Sequence, residues 1–168
     1  LHSEGLVDII PHTGAIVSDI SPGNLEEVSL LLERLEILSF EMLAGKVSQR
    51  DLDPLRVTID QMDELLASDD LEGWSEMNIE FHRAVANLTG MKLLIEFVNR
   101  ALDAWTRLRR WYLRHILPQL PQAQREHRLM LDLLAANDLA GVTGVVVEHN
   151  RRMREFYRQA ISNLQNNS

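Results

Sequence analysis

Hydrophobic positions return at helical spacing over most of the chain. Between residues 24 and 45, Val28, Leu31, Leu32, Leu35, Leu38 and Leu43 recur every three or four residues and stop at Gly45. Ser21-Pro22-Gly23 reads as a linker. Asn24 with Glu27 three residues later has the spacing of a capping box, which predicts a first helix starting there. A second is predicted over 50–67, with Pro54 in its first turn and Leu55, Ile59, Met62, Leu65 and Leu66 on its apolar side. Ser68-Asp69-Asp70 supplies caps for a third helix, which ends at Thr89-Gly90. The fourth is predicted over 91–117, stopped by Pro118 and Pro121, and the fifth over 121–136, with Asn137 as its left-handed terminal residue. Asp138 caps a sixth helix running to about 164. Short connections between so many helices predict an all-α, mostly antiparallel bundle of six to seven helices.

Residues 1–20 break this pattern. Leu6-Val7 and Ala15-Ile16-Val17 are short β-prone runs separated by a segment punctuated by Pro11 and Gly14, which predicts a small hairpin. Two strands alone bury too little to be stable, so this segment is expected to be the trailing edge of a larger unit. The expected organisation is a hairpin over 1–20, a linker at 21–23, a helical domain over 24–164 and a tail at 165–168.

Composition narrows the function classes. The 168 residues contain no cysteine, which removes thiolate metal sites, disulfides and cysteine nucleophiles. A net charge of −8 disfavours binding of nucleic acid over the general surface. No apolar run approaches the roughly 20 residues that cross a bilayer, and the expected setting is the cytoplasm.

Candidate chemistry lies in the third, fifth and sixth helices. Asn78 and His82, four residues apart, share one face. His127 precedes the apolar stripe Leu129, Met130, Leu133 and Leu134, and His149 follows Val142, Val145 and Val146. A single histidine on such a stripe is more often a hydrogen-bonded core residue than a ligand. Three of them, on three helices of one bundle, predict a shared divalent metal with Asn78 as an oxygen ligand. The donor set suits Zn²⁺ or Ni²⁺. Neutral imidazoles and an amide leave the cation its full charge, so the expected partner is a small carboxylate. His2, His12 and His115 are expected to be solvated.

Helix four adds a second feature. Its apolar face runs through Leu94, Val98, Leu102, Trp105 and Tyr112, and Arg109 falls among them. An inward arginine needs an anion, so Arg109 is expected either to bridge a buried carboxylate or to clamp a ligand, with Trp105 and Tyr112 lining the same space. Gly141 and Gly144 inside helix six predict close approach of a neighbouring helix. Glu80, Glu126 and Glu148 lie near the candidate ligands but are expected to face elsewhere, which leaves no dedicated general base.

The run Asn78-x3-His82, continuing as Phe81-His82-Arg83-Ala84-Val85-Ala86 to Gly90, with Glu126-His127-Arg128, Leu131, Asn137-Asp138 and His149, resembles the C-terminal effector domain, of FCD type, of GntR-family bacterial transcription regulators, FadR subfamily. The resemblance covers about residues 24–162. In that family the first ligand is usually Asp, where this chain has Asn78. The missing carboxylate predicts weaker metal affinity and a more cationic centre. Ser29 stands where members commonly carry an Arg. Glu4-Gly5-Leu6-Val7 and Pro11-His12-Thr13-Gly14-Ala15-Ile16-Val17 resemble the wing of the family's winged helix-turn-helix domain, with Thr13 at the usual Arg.

The resemblance implies a homodimeric, effector-sensing module that holds a small organic acid at a buried metal and controls operator DNA through an N-terminal domain mostly absent here. Two alternatives remain open from the sequence. One is a metal-dependent hydrolase on a helical bundle; the other is a metal-free oligomerisation module.

Overall fold

Among the described residues, a short antiparallel hairpin precedes six helices. In this computed structural model the backbone is described for residues 7–10, 14–17, 22–110 and 118–166, and side chains for 25–106 and 118–163. Strand β1 (Val7–Ile10) pairs with β2 (Gly14–Val17), Val7 opposite Val17 and Ile10 opposite Gly14. The helices are α1 (Pro22–Leu43), α2 (Gln49–Ala67), α3 (Leu71–Leu88), α4 (Lys92–Arg110), α5 (Leu120–Ala135) and α6 (Leu139–Asn166). Helix α1 begins at Pro22, two residues before the predicted cap, because a proline's fixed φ suits a first helical turn, where no N–H is needed. The predicted continuation of α4 to residue 117 lies outside the described residues.

Two junctions are built alike. Asp69 (φ 60°) and Asn137 (φ 56°) adopt the left-handed conformation that ends a helix. The next residue then closes the turn by donating its backbone N–H back across it: Asp70 to Leu65 O and Asp138 to Leu133 O, each 2.9 Å. Each of those aspartates also caps the helix that follows, accepting the N–H of Gly73 or Gly141 at 2.9 Å. A Cβ on Gly141 would stand 2.4 Å from Asp138 Oδ2, and one on Gly73 2.6 Å from Asp70 Oδ2. The glycine at 141 is thus required mainly by the cap of its own helix. A Cβ at Gly144 would meet nothing within 4 Å, so the close helix approach predicted there is absent.

The apolar stripes meet in two clusters. Phe40, Leu52, Ile59, Met62, Phe81, Leu131 and Val146 belong to the larger one, drawn from α1, α2, α3, α5 and α6. Leu32, Ile79, Ala86, Leu94, Val98 and Leu102 form the smaller, between α1, α3 and α4. Helix α3 feeds both clusters, so it is buried on two sides, and the polar residues between those sides, Asn78 and His82, are held inside the bundle. Around it, α1 packs on α3, α4 and α6, α2 on α3 and α5, and α5 on α6. Among the described residues no helix is long and apolar enough to cross a membrane.

Candidate metal centre

His82 from α3, His127 from α5 and His149 from α6 converge in the interior. One ring nitrogen from each lies within 4.8 Å of the others. Ring centroids are 5.2 Å apart for His82 and His127, 5.0 Å for His127 and His149, and 6.1 Å for His82 and His149. All three are buried, His127 completely. Phe81 packs its ring against His127 at 4.9 Å and His82 at 5.3 Å, filling the apolar side of the cluster.

Each imidazole is anchored through Nδ1. Glu36 of α1 holds His82 at 2.7 Å, Glu126 of α5 holds His149 at 2.9 Å, and Gln124 holds His127 at 3.1 Å. The amide of Gln124 is oriented in turn, since its Nε2 donates to Asp63 Oδ1 (2.8 Å) and to Ile59 O (3.1 Å). Its oxygen therefore faces His127, and a neutral His127 must donate from Nδ1 and keep a lone pair on Nε2. That Nε2 is buried without a hydrogen-bond partner. With every Nδ1 taken, Nε2 is the nitrogen each ring has left for a shared centre.

A buried donor atom with no partner is costly. One such atom on His127, with a ring nitrogen of His82 and of His149 beside it and an orienting acceptor behind every ring, is the pattern of metal-ligating histidines. A divalent cation therefore fits the residues present: His82, His127 and His149 would hold it, and it would supply Lewis acidity toward an anionic donor. Asn78, one turn before His82, is buried and lines the same cavity as His82 and His149.

The charges behind the rings change the electrostatic picture. Burial alone would raise Glu36, but the His82 charge and hydrogen bond, with the Asn150 amide at 2.8 Å, hold its carboxyl below the usual range. Burial likewise opposes ionisation of Glu126. The hydrogen bonds from His149, Gln122 and Arg152 prevail and bring it down to about 2. Complete burial, then the neighbouring His149 and His82, push His127 well below the ordinary imidazole value, so it stays neutral. The centre is thus not purely cationic, as the sequence reading had it. Two carboxylates stand one ring behind it.

This corrects one expectation: Glu126 backs His149 instead of facing elsewhere. Glu80 and Glu148 do face elsewhere, pairing at the surface with Arg83 and Arg151 at 2.8 and 2.6 Å. Trp105 lines the cavity, its ring 4.9 Å from that of Tyr157. Tyr112 and the side chain of Arg109 lie outside the described residues, as do His2, His12 and His115. Ser29 has an arginine beside it after all, delivered from α6: Arg154 reaches its hydroxyl at 3.3 Å and Glu33 at 2.8 Å.

Glu36, Gln124 and Asn150 belong to the hydrogen-bond network around the histidines, and the sequence pattern alone does not single them out. Glu36 comes nearest to a visible signal, since it falls one turn from both Leu32 and Phe40 on a buried face, where an unpaired carboxylate is rare. Gln124, three residues before His127, shares its face.

The three-histidine cluster is thus buried inside a bundle of helices. Residues 27–152 match the FCD domain model. The chain belongs to the FCD domain family, the helical effector domain of GntR-family transcription regulators. Over 88 residues it is 31% identical to an uncharacterized HTH-type transcriptional regulator of Agrobacterium vitis, a match over 51% of this chain and 52% of that protein. It spans about half the length of that relative. The E. coli McbR/YncC structure superposes with a TM-score of 0.79 at 20% identity, over 95% of this chain and 80% of that one. A putative GntR transcriptional regulator of Rhodococcus sp. RHA1 gives 0.73 at 19%, over 96% and 75%. At these identities the structures show the shared fold.

Proposed function

We propose that this domain senses a small organic acid at a divalent metal held by His82, His127, His149 and Asn78, and so controls operator binding by a dimeric cytoplasmic regulator. The carrying observation is the buried, unpartnered Nε2 of His127 between two further imidazoles, each anchored at Nδ1. The acid's carboxylate is attracted by the cation and enters from the cavity side, which Asn78, Trp105 and Met153 line. Zn²⁺ and Ni²⁺ suit the donor set. Binding can act on DNA only through unequal affinity for two arrangements of the dimer.

Two further features support the larger assembly. Leu30 and Leu31 on α1 and Leu93 and Phe97 on α4 are exposed apolar side chains on helices that pack together, a surface suited to a second copy. The β1–β2 hairpin precedes α1 in the chain, the order that the wing of a winged helix leading into an effector domain would have. The two carboxylates nearest the rings are both committed to imidazole Nδ1 atoms, which favours sensing over hydrolysis. Elemental analysis of tag-free protein, with calorimetry against short carboxylates before and after chelation, tests the reading. Stoichiometric metal and acid binding that chelation abolishes are expected. Acid binding that survives chelation would remove the metal from the mechanism.

A further inference from the structure

The cavity beside the imidazoles has a second end. Trp74, Asn78 and His82 succeed one another every four residues on α3, and all three line it. Helix α6 runs alongside, with His149 and Asn150 at one end and Met153 and Tyr157 further on. Eight residues of helix separate His82 from Trp74, and eight separate His149 from Tyr157, a rise of ~12 Å along each. The space therefore extends from a polar, metal-binding end to an aromatic end made by Trp74, Trp105 and Tyr157. It is narrow, about 40 Å³ in all.

Trp74 is 2% exposed, and its indole Nε1 is buried without an acceptor. An indole N–H is a donor only and can be satisfied by nothing but an acceptor brought to it. None of the described residues lining the cavity is a Lys or Arg, so none of them offers a second carboxylate at this end a counter-charge. We infer that Trp74 is a specificity-determining residue, whose indole N–H receives a carbonyl or hydroxyl oxygen of a narrow, chain-like acid held at the other end by the metal. The inference rests on the sensing reading above and adds the chemistry of the far end. An acid that brings no acceptor leaves the donor unsatisfied, and discrimination of about tenfold follows from the worth of one buried hydrogen bond.

The probes are straight-chain carboxylates of four to eight carbons, each paired with its oxo analogue carrying a ketone next to the terminal methyl. Binding to nickel-loaded protein is measured by calorimetry. At one chain length the oxo acid should bind about tenfold tighter than the plain acid, and the dicarboxylate of that length should gain nothing. Trp74→Phe should erase the preference, so that the oxo acid binds no tighter than the plain acid, while nickel affinity stays within about twofold. In the unaltered protein, the Trp74 indole N–H resonance should move on addition of the preferred oxo acid and hold still with the plain one, a readout that needs no variant to fold. No preference at any length, or a preference that persists in Trp74→Phe, overturns the role of Trp74 while plain-acid binding keeps the sensing reading intact. If metal binds and no carboxylate does, both readings fall together.

Discussion

His127 and His149 sit ring to ring, 5.0 Å apart, yet they are held in different ways. A carboxylate backs His149, and another backs His82, whereas an amide backs His127. Carboxylate backing strengthens an imidazole as a donor and adds compensating negative charge near a cation. Amide backing adds no charge; it fixes a tautomer. The fully buried ring carries the neutral support, and the rings nearer the cavity carry the charged ones. Orientation and charge compensation are thus assigned to different histidines.

Removing the middle ring should have the largest effect. His127→Ala is expected to abolish metal uptake, read as loss of stoichiometric metal in purified protein, and with it the acid binding. Next come the carboxylates. Glu126→Gln and Glu36→Gln should each weaken metal affinity about 10- to 100-fold, while Gln124→Glu, which gives His127 the backing of its neighbours, should strengthen it or leave it unchanged. Competition with a chromophoric chelator would measure all three. If Glu126→Gln binds metal as tightly as the parent, charge compensation plays no part.

The amide support can be probed one layer further out. Asp63 accepts from Gln124 and pairs with Arg128 at 2.6 Å. Burial would raise its carboxyl, but the Arg128 and Gln124 hydrogen bonds win and hold it below the usual range. A carboxyl depressed in the folded state stabilises the fold above its unfolded value of about 3.9 and loses that contribution as pH falls through the folded value. Asp63→Asn should therefore lower the melting temperature at pH 7 and lose that deficit as pH falls below about 4, which flattens the acid limb of the melting-temperature profile. An unaltered acid limb would show that the ion pair contributes nothing there. The smallest effects belong to the two matched junctions. Asp70→Ala and Asp138→Ala should each cost about 1 kcal/mol in denaturant unfolding without altering metal stoichiometry.

Much of the bundle was legible in the chain because each helix carries its own period and stop signals. Asn137 announced its left-handed turn, and Asp138 its cap. The three histidines were legible for the same reason: each lies on a stripe that must point inward. What stands behind them was not, because Glu36 meets His82, and Glu126 meets His149, across separate helices. Periodicity fixes the face a side chain occupies, but the rotation of one helix against another decides whom that face meets. Trp74 escaped notice for a related reason. A tryptophan on a buried face reads as core until its N–H is seen to lack an acceptor.

Glu36 carries a consequence for how a signal could leave the centre. One of its oxygens takes His82 of α3, and the other takes Asn150 of α6, next to His149. A single side chain thus knots three rods of the bundle together, and one of them is the rod that leads back toward the hairpin. A shift of His82 reaches α1 through one hydrogen bond, and a shift of His149 reaches it through the neighbouring Asn150, with no loop in between to absorb it.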